Sequence, residues 1–255
     1  MSDFSQQFPV VFGALNEGFL QTLKLFAITL FGALPLGFLI YFGEVSAWAP
    51  FAALGRRLYA AQRCAAIAKF FEDFCPIAAV VRFIIWVVRG TPLMLQLLVI
   101  YYFPGLVWNR PIWGSGMDGR FWASAAAFVF NYACYFAEIY RGGIQSIPKG
   151  QQEAGQVLGM TRSQIFFKIT LLQMIKRILP PISNEIITLV KDTSLSRVVA
   201  LQEIIWMGEE FLKGSRGIAG AIWPLFFTGV YYLVFSGALT AALGRAECRL
   251  DFFKA

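Results

Sequence analysis

Two groups of residues in this chain have types and spacings that could do chemistry. The first is set in apolar surroundings: Asn131 and Glu138, then Asn184, Glu185, Thr188, Lys191, Asp192, Thr193 and Ser194. Together they offer donors and acceptors of both charges, which a zwitterionic solute would need in a low-dielectric cavity. On helical spacing Asn184, Thr188 and Lys191 share a side with Glu185 and Asp192 close by, and Ile182, Ile186, Leu189 and Thr193 form a mostly apolar side. A structural role stands beside the solute-binding one. Lys191 and Asp192 project about 100° apart and can pair with other helices to hold a bundle, and Asn131 can join two helices. Arg89 and Arg141 read as anchors of helix ends at an interface rather than as solute contacts. The second group lies in the polar, basic stretch 135–159, YFAEIYRGGIQSIPKGQQEAGQVLG, which follows directly on a membrane-length apolar run. A charged loop at that junction suits a docking surface for a cytoplasmic partner better than a catalytic centre. Small residues there let two backbones approach, Glu153 offers a charge to a basic partner, and Gly159 allows a sharp turn.

Several classes of chemistry lack their residues. The chain of 255 residues contains no His, which removes the commonest general base and the commonest zinc ligand. Cys64, Cys75, Cys134 and Cys248 form no C-x-x-C pair, so free thiols are expected and no metal site. No G-x-x-x-x-G-K-[ST] occurs, so the chain has no ATP site of this type of its own. Ser194 and Ser196 have no evident base beside them. The expectation is a protein that is not an enzyme and carries no cofactor.

The elements that must position these residues are membrane helices. Hydrophobic residues make up 58% of the chain, with 26 Phe, above the 45–50% usual for soluble domains. Five spans are expected, at about 18–42, 91–107, 121–140, 178–200 and 218–243, making an all-α integral membrane protein. The first would rise roughly 37 Å, enough to cross a core of about 30 Å with some tilt. Thr91 is expected to cap the second span with Pro92 at its first helical position, and 77–88 before it to form a partly embedded elbow helix. The fourth span contains Glu185, Lys191, Asp192 and Arg197; each central charge costs roughly 2.5–3.5 kcal/mol, so this helix should face protein or a water-filled path. Residues 1–17 carry Asp3 and Glu17 and no Lys or Arg, unlike a secretory leader, and read as a short extracytoplasmic tail.

The basic residues set the orientation. Arg56, Arg57, Arg63, Lys69, Arg82 and Arg89 precede the second span, and Arg141, Lys149, Arg162, Lys168, Lys176 and Arg177 follow the third. Arg245, Arg249 and Lys254 end the chain, whereas the opposite loops carry only Arg110, Arg120, Lys213 and Arg216. The N-terminus is therefore expected outside, with the 141–177 loop and the tail 244–255 in the cytoplasm. The net charge of +7 follows from that bias and calls for no nucleic acid.

Three motifs then match a known family. RGTPLMLQ (89–96), AEIYRGGIQSIPKGQQEAG (137–155) and LVKDTSLSRVV (189–199) resemble the polar amino-acid permeases of bacterial ABC importers, the branch handling His, Glu, Gln, Arg or opines. The resemblance covers about 18–243. It implies a type I importer permease fold in the bacterial inner membrane, with two permease subunits, same or related, side by side. It also implies a separate ATPase using ATP and Mg, an extracytoplasmic binding protein and a polar amino-acid substrate. It places the coupling element for the ATPase at Glu153, Ala154 and Gly155, broken at Gly159.

The chain departs from the family pattern in three places. Gly155 stands for the usual second Ala, which should loosen the coupling helix slightly. Leu172 stands for the usual Pro, so the break before the fourth span is expected at Pro180-Pro181. The 44–75 link is long, and its Ala-rich, basic segment 51–71 reads as a cytoplasmic interfacial helix. The alternative to an ATP-driven importer is a secondary ion- or proton-coupled carrier without an ATPase, with Lys191, Asp192 and Glu138 as relay; an inverted repeat would favour it, and the sequence shows none.

Overall fold

A computed structural model of the chain describes residues 4–49, 52, 69, 74–214 and 222–250. The interfacial helix expected over 51–71 lies outside those residues apart from Ala52 and Lys69, as do the first residues of the expected fifth span and the last five of the tail.

The first helix, α1, runs from Phe4–Glu44 over 41 residues, through Pro9 and Pro35. The stretch expected as a separate tail is therefore the first part of this helix from Phe4 onward, which continues into the first span even though Pro9 leaves out one amide donor. Next come α2, Pro76–Gly90, and α3, Leu93–Trp108. Their axes bend by 107°. Thr91 does not cap α3 as expected. Its hydroxyl donates to the Val87 carbonyl at 2.9 Å and closes α2, while Pro92 sits at the start of α3. The elbow helix is present, and it extends two residues past the expected end.

Helix α4 spans Met117–Gln145 and is the spine of the bundle. Its Phe128, Tyr132 and Phe136 are buried with Leu25 and Ala33 of α1 and Leu97 of α3. Gly37 of α1 lets the two backbones close up, because a Cβ there would lie 2.8 Å from the Ala133 carbonyl oxygen. Such small-residue contacts drive helix association in lipid, where lipid tails remove the hydrophobic gain between helices.

Beyond α4 the chain makes α5, Lys149–Val157, turns at Gly159 with φ +72°, and enters α6, Arg162–Ile165. Thr161 and Gln164 close α6 with a reciprocal capping box. A π-helical turn, Phe166–Thr170, leads into α7, Leu171–Asp192, which runs through both Pro180 and Pro181. The break expected at the proline pair is thus absent. Adjacent prolines each remove a donor, yet α7 stays continuous through them; the irregular turn between the loop and this helix is the π segment, ten residues before Pro180. A 3-10 segment, Thr193–Val199, ends α7, followed by α8, Ile204–Leu212, and α9, Trp223–Leu250. Val11, Ala14 and Leu15 of α1 pack with Ile204, Met207 and Phe211 of α8 as a second, smaller core.

By length and apolarity, residues Gln7–Glu44 of α1 and the whole of α9 can cross a membrane, and the bent pair α2–α3 makes a third candidate. Helices α4 and α7 are long enough but carry the charges singled out above.

Candidate functional site

The polar residues expected along a path do not all meet. A cavity of about 530 Å³ opens where the α2–α3 bend faces α4 and α7. Asn131, Glu185, Thr188 and Asp192 line it, together with Arg89, Thr91, Tyr132 and Tyr135, which sequence reasoning had not placed there. Geometry explains the addition of Arg89. The 107° bend lifts the end of α2 into the bundle, so a residue read as an interface anchor reaches the cavity instead. Its guanidinium lies over the Tyr135 ring at 5.3 Å and pairs with Glu138 at 3.1 Å. The Tyr132 hydroxyl donates to Asp192 Oδ2 at 2.7 Å. The signal for the two tyrosines was available: Asn131, Tyr132 and Tyr135 fall within one helical turn of each other, on the side that α7 faces.

Asn131 serves both readings. Its amide donates to Gln96 Oε1 at 2.9 Å, and Gln96 Nε2 in turn donates to the Val88 carbonyl at 2.7 Å, the Thr91 carbonyl at 3.1 Å and Thr91 Oγ1 at 2.9 Å. One buried amide on α4 therefore fixes the α2–α3 bend that shapes the cavity.

Five of the expected residues lie elsewhere. Glu138 faces away from this cavity, chelated by Arg141 and paired with Arg89. It lines a separate cavity of about 430 Å³ with Glu44, Arg82, Ile85, Trp86, Arg89 and Gly90. Asn184 and Lys191 are exposed on α7 beyond the cavity wall. Thr193 is buried, donating to the Val190 carbonyl at 2.6 Å, and Ser194 donates to the Lys191 carbonyl at 2.7 Å. Both hydroxyls therefore close the end of α7. The amphipathic assignment of α7 holds in outline, with Ile186, Leu189 and Thr193 buried and Asn184, Thr188 and Lys191 exposed.

At the other candidate site α5 presents Glu153 and Ala154 to solvent. Gly155 is buried, and a Cβ added to it would lie 2.8 Å from Ile165 Cγ1. The missing methyl lets α5 seat against Ile165. Val157 and Leu158 stand 87% and 78% exposed beside the Gly159 turn, so the tip carries an acidic residue and an uncovered apolar pair. The loop is tied back to α7 by Arg177, which donates to the Ser146 carbonyl. Among the described residues no three His, Cys, Asp or Glu side chains converge to hold a metal.

The profile of proteins described as binding-protein-dependent transport system inner membrane component matches residues 75–249. The chain is 41% identical over 138 residues to an octopine transport system permease protein of Rhizobium radiobacter, a match covering 52% of this chain and only 56% of that protein. It is 32% identical over 239 residues to an arginine transport system permease protein of Bacillus subtilis, covering 93% and 92% of the two chains. Among solved structures, an amino acid ABC transporter crystallised with histidines superposes with a TM-score of 0.75 at 25% identity, over 96% of this chain and 97% of that one.

Proposed function

The chain belongs to the family of binding-protein-dependent transport system inner membrane components, and from that premise we propose that it is the membrane permease of an ATP-driven importer carrying a polar amino acid inward. The observation that carries this reading is the cavity at the α2–α3 bend, whose wall holds Arg89 together with Glu185 and Asp192. An α-carboxylate finds a guanidinium there, an α-ammonium finds carboxylates, and Thr91, Tyr132 and Thr188 add neutral hydrogen-bonding groups. Removing water from both charges at once would cost several kcal/mol per ion without such partners. The octopine and arginine permeases among the relatives agree with a polar amino acid or amino-acid derivative.

The rest of the machine lies outside this chain. ATP and Mg are used by a separate ATPase that docks on α5, with Glu153, Ala154 and the exposed Val157–Leu158 pair entering its surface and Gly155 and Gly159 shaping the element. A second permease subunit completes the path and an extracytoplasmic binding protein delivers the solute. Five spans place the N-terminus outside and α5 in the cytoplasm, in the inner membrane. Closure of the ATPases moves α5, and because α5 rests on Ile165 and leads through the π turn into α7, that motion reaches Glu185 and Asp192. The cavity then opens to alternate sides. A secondary carrier finds no support among the relatives, which are transport system permease proteins, or in the solved amino acid ABC transporter.

The test is reconstitution with the co-purifying ATPase and measurement of ATP turnover and amino-acid binding. One polar amino acid should stimulate turnover. Glu153→Ala should keep binding but lose stimulation, whereas Asp192→Asn should weaken binding by about tenfold or more, the loss expected for one charge-assisted contact. Absence of any associated ATPase would sink the reading.

A further inference from the structure

The smaller cavity, at the arginine-rich end of the bundle, holds groups that the transport site leaves unused. Glu44, the last residue of α1, is only 6% exposed. Its Oε1 pairs with Arg141 Nε at 3.1 Å, but its Oε2 is buried with no hydrogen-bond partner among the described residues. A buried carboxylate oxygen calls for a donor, and a charged donor best of all. Arg82 of α2, also on the cavity wall, donates through one nitrogen to the Glu44 carbonyl at 3.3 Å. A guanidinium has five N–H donors, so most of this one remains to be used. Glu138 takes no further part, since Arg141 and Arg89 already hold both its oxygens. The cavity wall thus holds a carboxylate with one buried oxygen unpaired among the described residues and one partly used guanidinium, with Ile85 and Trp86 as its apolar part. Its volume, about 430 Å³, leaves room for an amino acid. Arg89 and Gly90 line both cavities, so the two spaces adjoin at the end of α2.

We propose that this cavity is a second amino-acid station on the inward side of the transport site, taking the ammonium on Glu44 and the carboxylate on Arg82. The inference rests on the importer reading. It adds a consequence that reading lacks: amino acid accumulated on the inner side occupies the station and slows release from the first site. ATP turnover falls as the product builds up.

The experiment uses the permease–ATPase complex in nanodiscs of phosphatidylglycerol, without binding protein, titrated calorimetrically with L-arginine, L-glutamine and L-histidine in turn. The wild-type complex should bind two molecules of one of these per permease chain. Glu44→Gln and Arg82→Ala should each keep the first event, which also reports that the variant is folded, and weaken the second by about tenfold or more, as for loss of one charged partner. A wild-type complex with a single event that neither substitution alters would overturn the station while leaving the importer intact. Failure of all three amino acids to bind or to stimulate ATP turnover would remove both. Nanodiscs containing phosphatidylethanolamine decide the remaining case. Its headgroup also joins an ammonium to an oxyanion, and loss of the second event there would assign the cavity to lipid and reject the proposal.

Discussion

Single residues in this protein take their meaning from what lies across from them. Glu203 shows it outside the transport path. It is fully buried at the start of α8, where its two carboxylate oxygens accept the Ile205 and Trp206 amides, each at 2.8 Å. Tyr232 of α9 and Thr22 of α1 crowd it, with Arg197 and Glu209 as the nearby charges. Burial is the largest influence and pushes its carboxyl up from 4.5 to about 7, with the two amides opposing. Because the folded state then holds the proton more tightly than the unfolded chain, the stabilisation is complete below about pH 4.5 and is lost as pH rises through about 7. The melting temperature in detergent should therefore fall over that window for the wild type relative to Glu203→Gln, which keeps an acceptor but no titration. A parallel pH profile for the two proteins would show that Glu203 does not titrate there. The sequence marked Glu203 in no way, since one Glu after an apolar run has the same pattern exposed or buried.

At the scale of elements, helix existence was legible and helix junctions were not. Apolar runs and their spacing located α1, α3, α4 and α9, and the alternation on α7 put its buried side correctly. The junctions turned on contacts between elements. Thr91 was read as the cap of α3 because Thr-Pro is a good helix opening, yet Gln96 reaches back to the end of α2 and holds Thr91 there. Gly155 reads from sequence as slightly loosening the coupling helix, and only the fold shows its close approach to Ile165. Gly155→Ala should therefore strain the α5–α6 seat by about 1–3 kcal/mol, as overpacked sites do. Hydrogen exchange across 149–165 should quicken and ATP stimulation should drop, and Ile165→Ala in the same chain should recover part of both. Unchanged exchange in the single variant would mean that Ile165 turns aside freely.

Over the whole molecule, orientation is the property that charge alone proposes and that one side chain can report. Cys248 is exposed near the end of α9. In a chain with Cys64, Cys75 and Cys134 changed to Ser, a membrane-impermeant maleimide should label Cys248 in inside-out vesicles and not in intact spheroplasts; the reverse pattern would invert the topology. The sequence by itself determined the solvent and the family of this protein. Apolar content is a sum over residues and the excess of arginine on alternate loops is a count; the motifs around 89–96, 137–155 and 189–199 are linear. None of these needs a neighbour. The tertiary structure decided which charges face one another. Helical periodicity places Glu185 and Asp192 on a side of α7, and the pair Glu138–Arg141 is local to α4, but only the 107° bend before α3 brings Arg89 into the same cavity wall as Glu185 and Asp192, and only the approach of α1 to α4 brings Glu44 to Arg141. The pairing of charges across helices depends on distances that no local pattern encodes, because the same helix face can meet lipid, a neighbouring helix or a cavity.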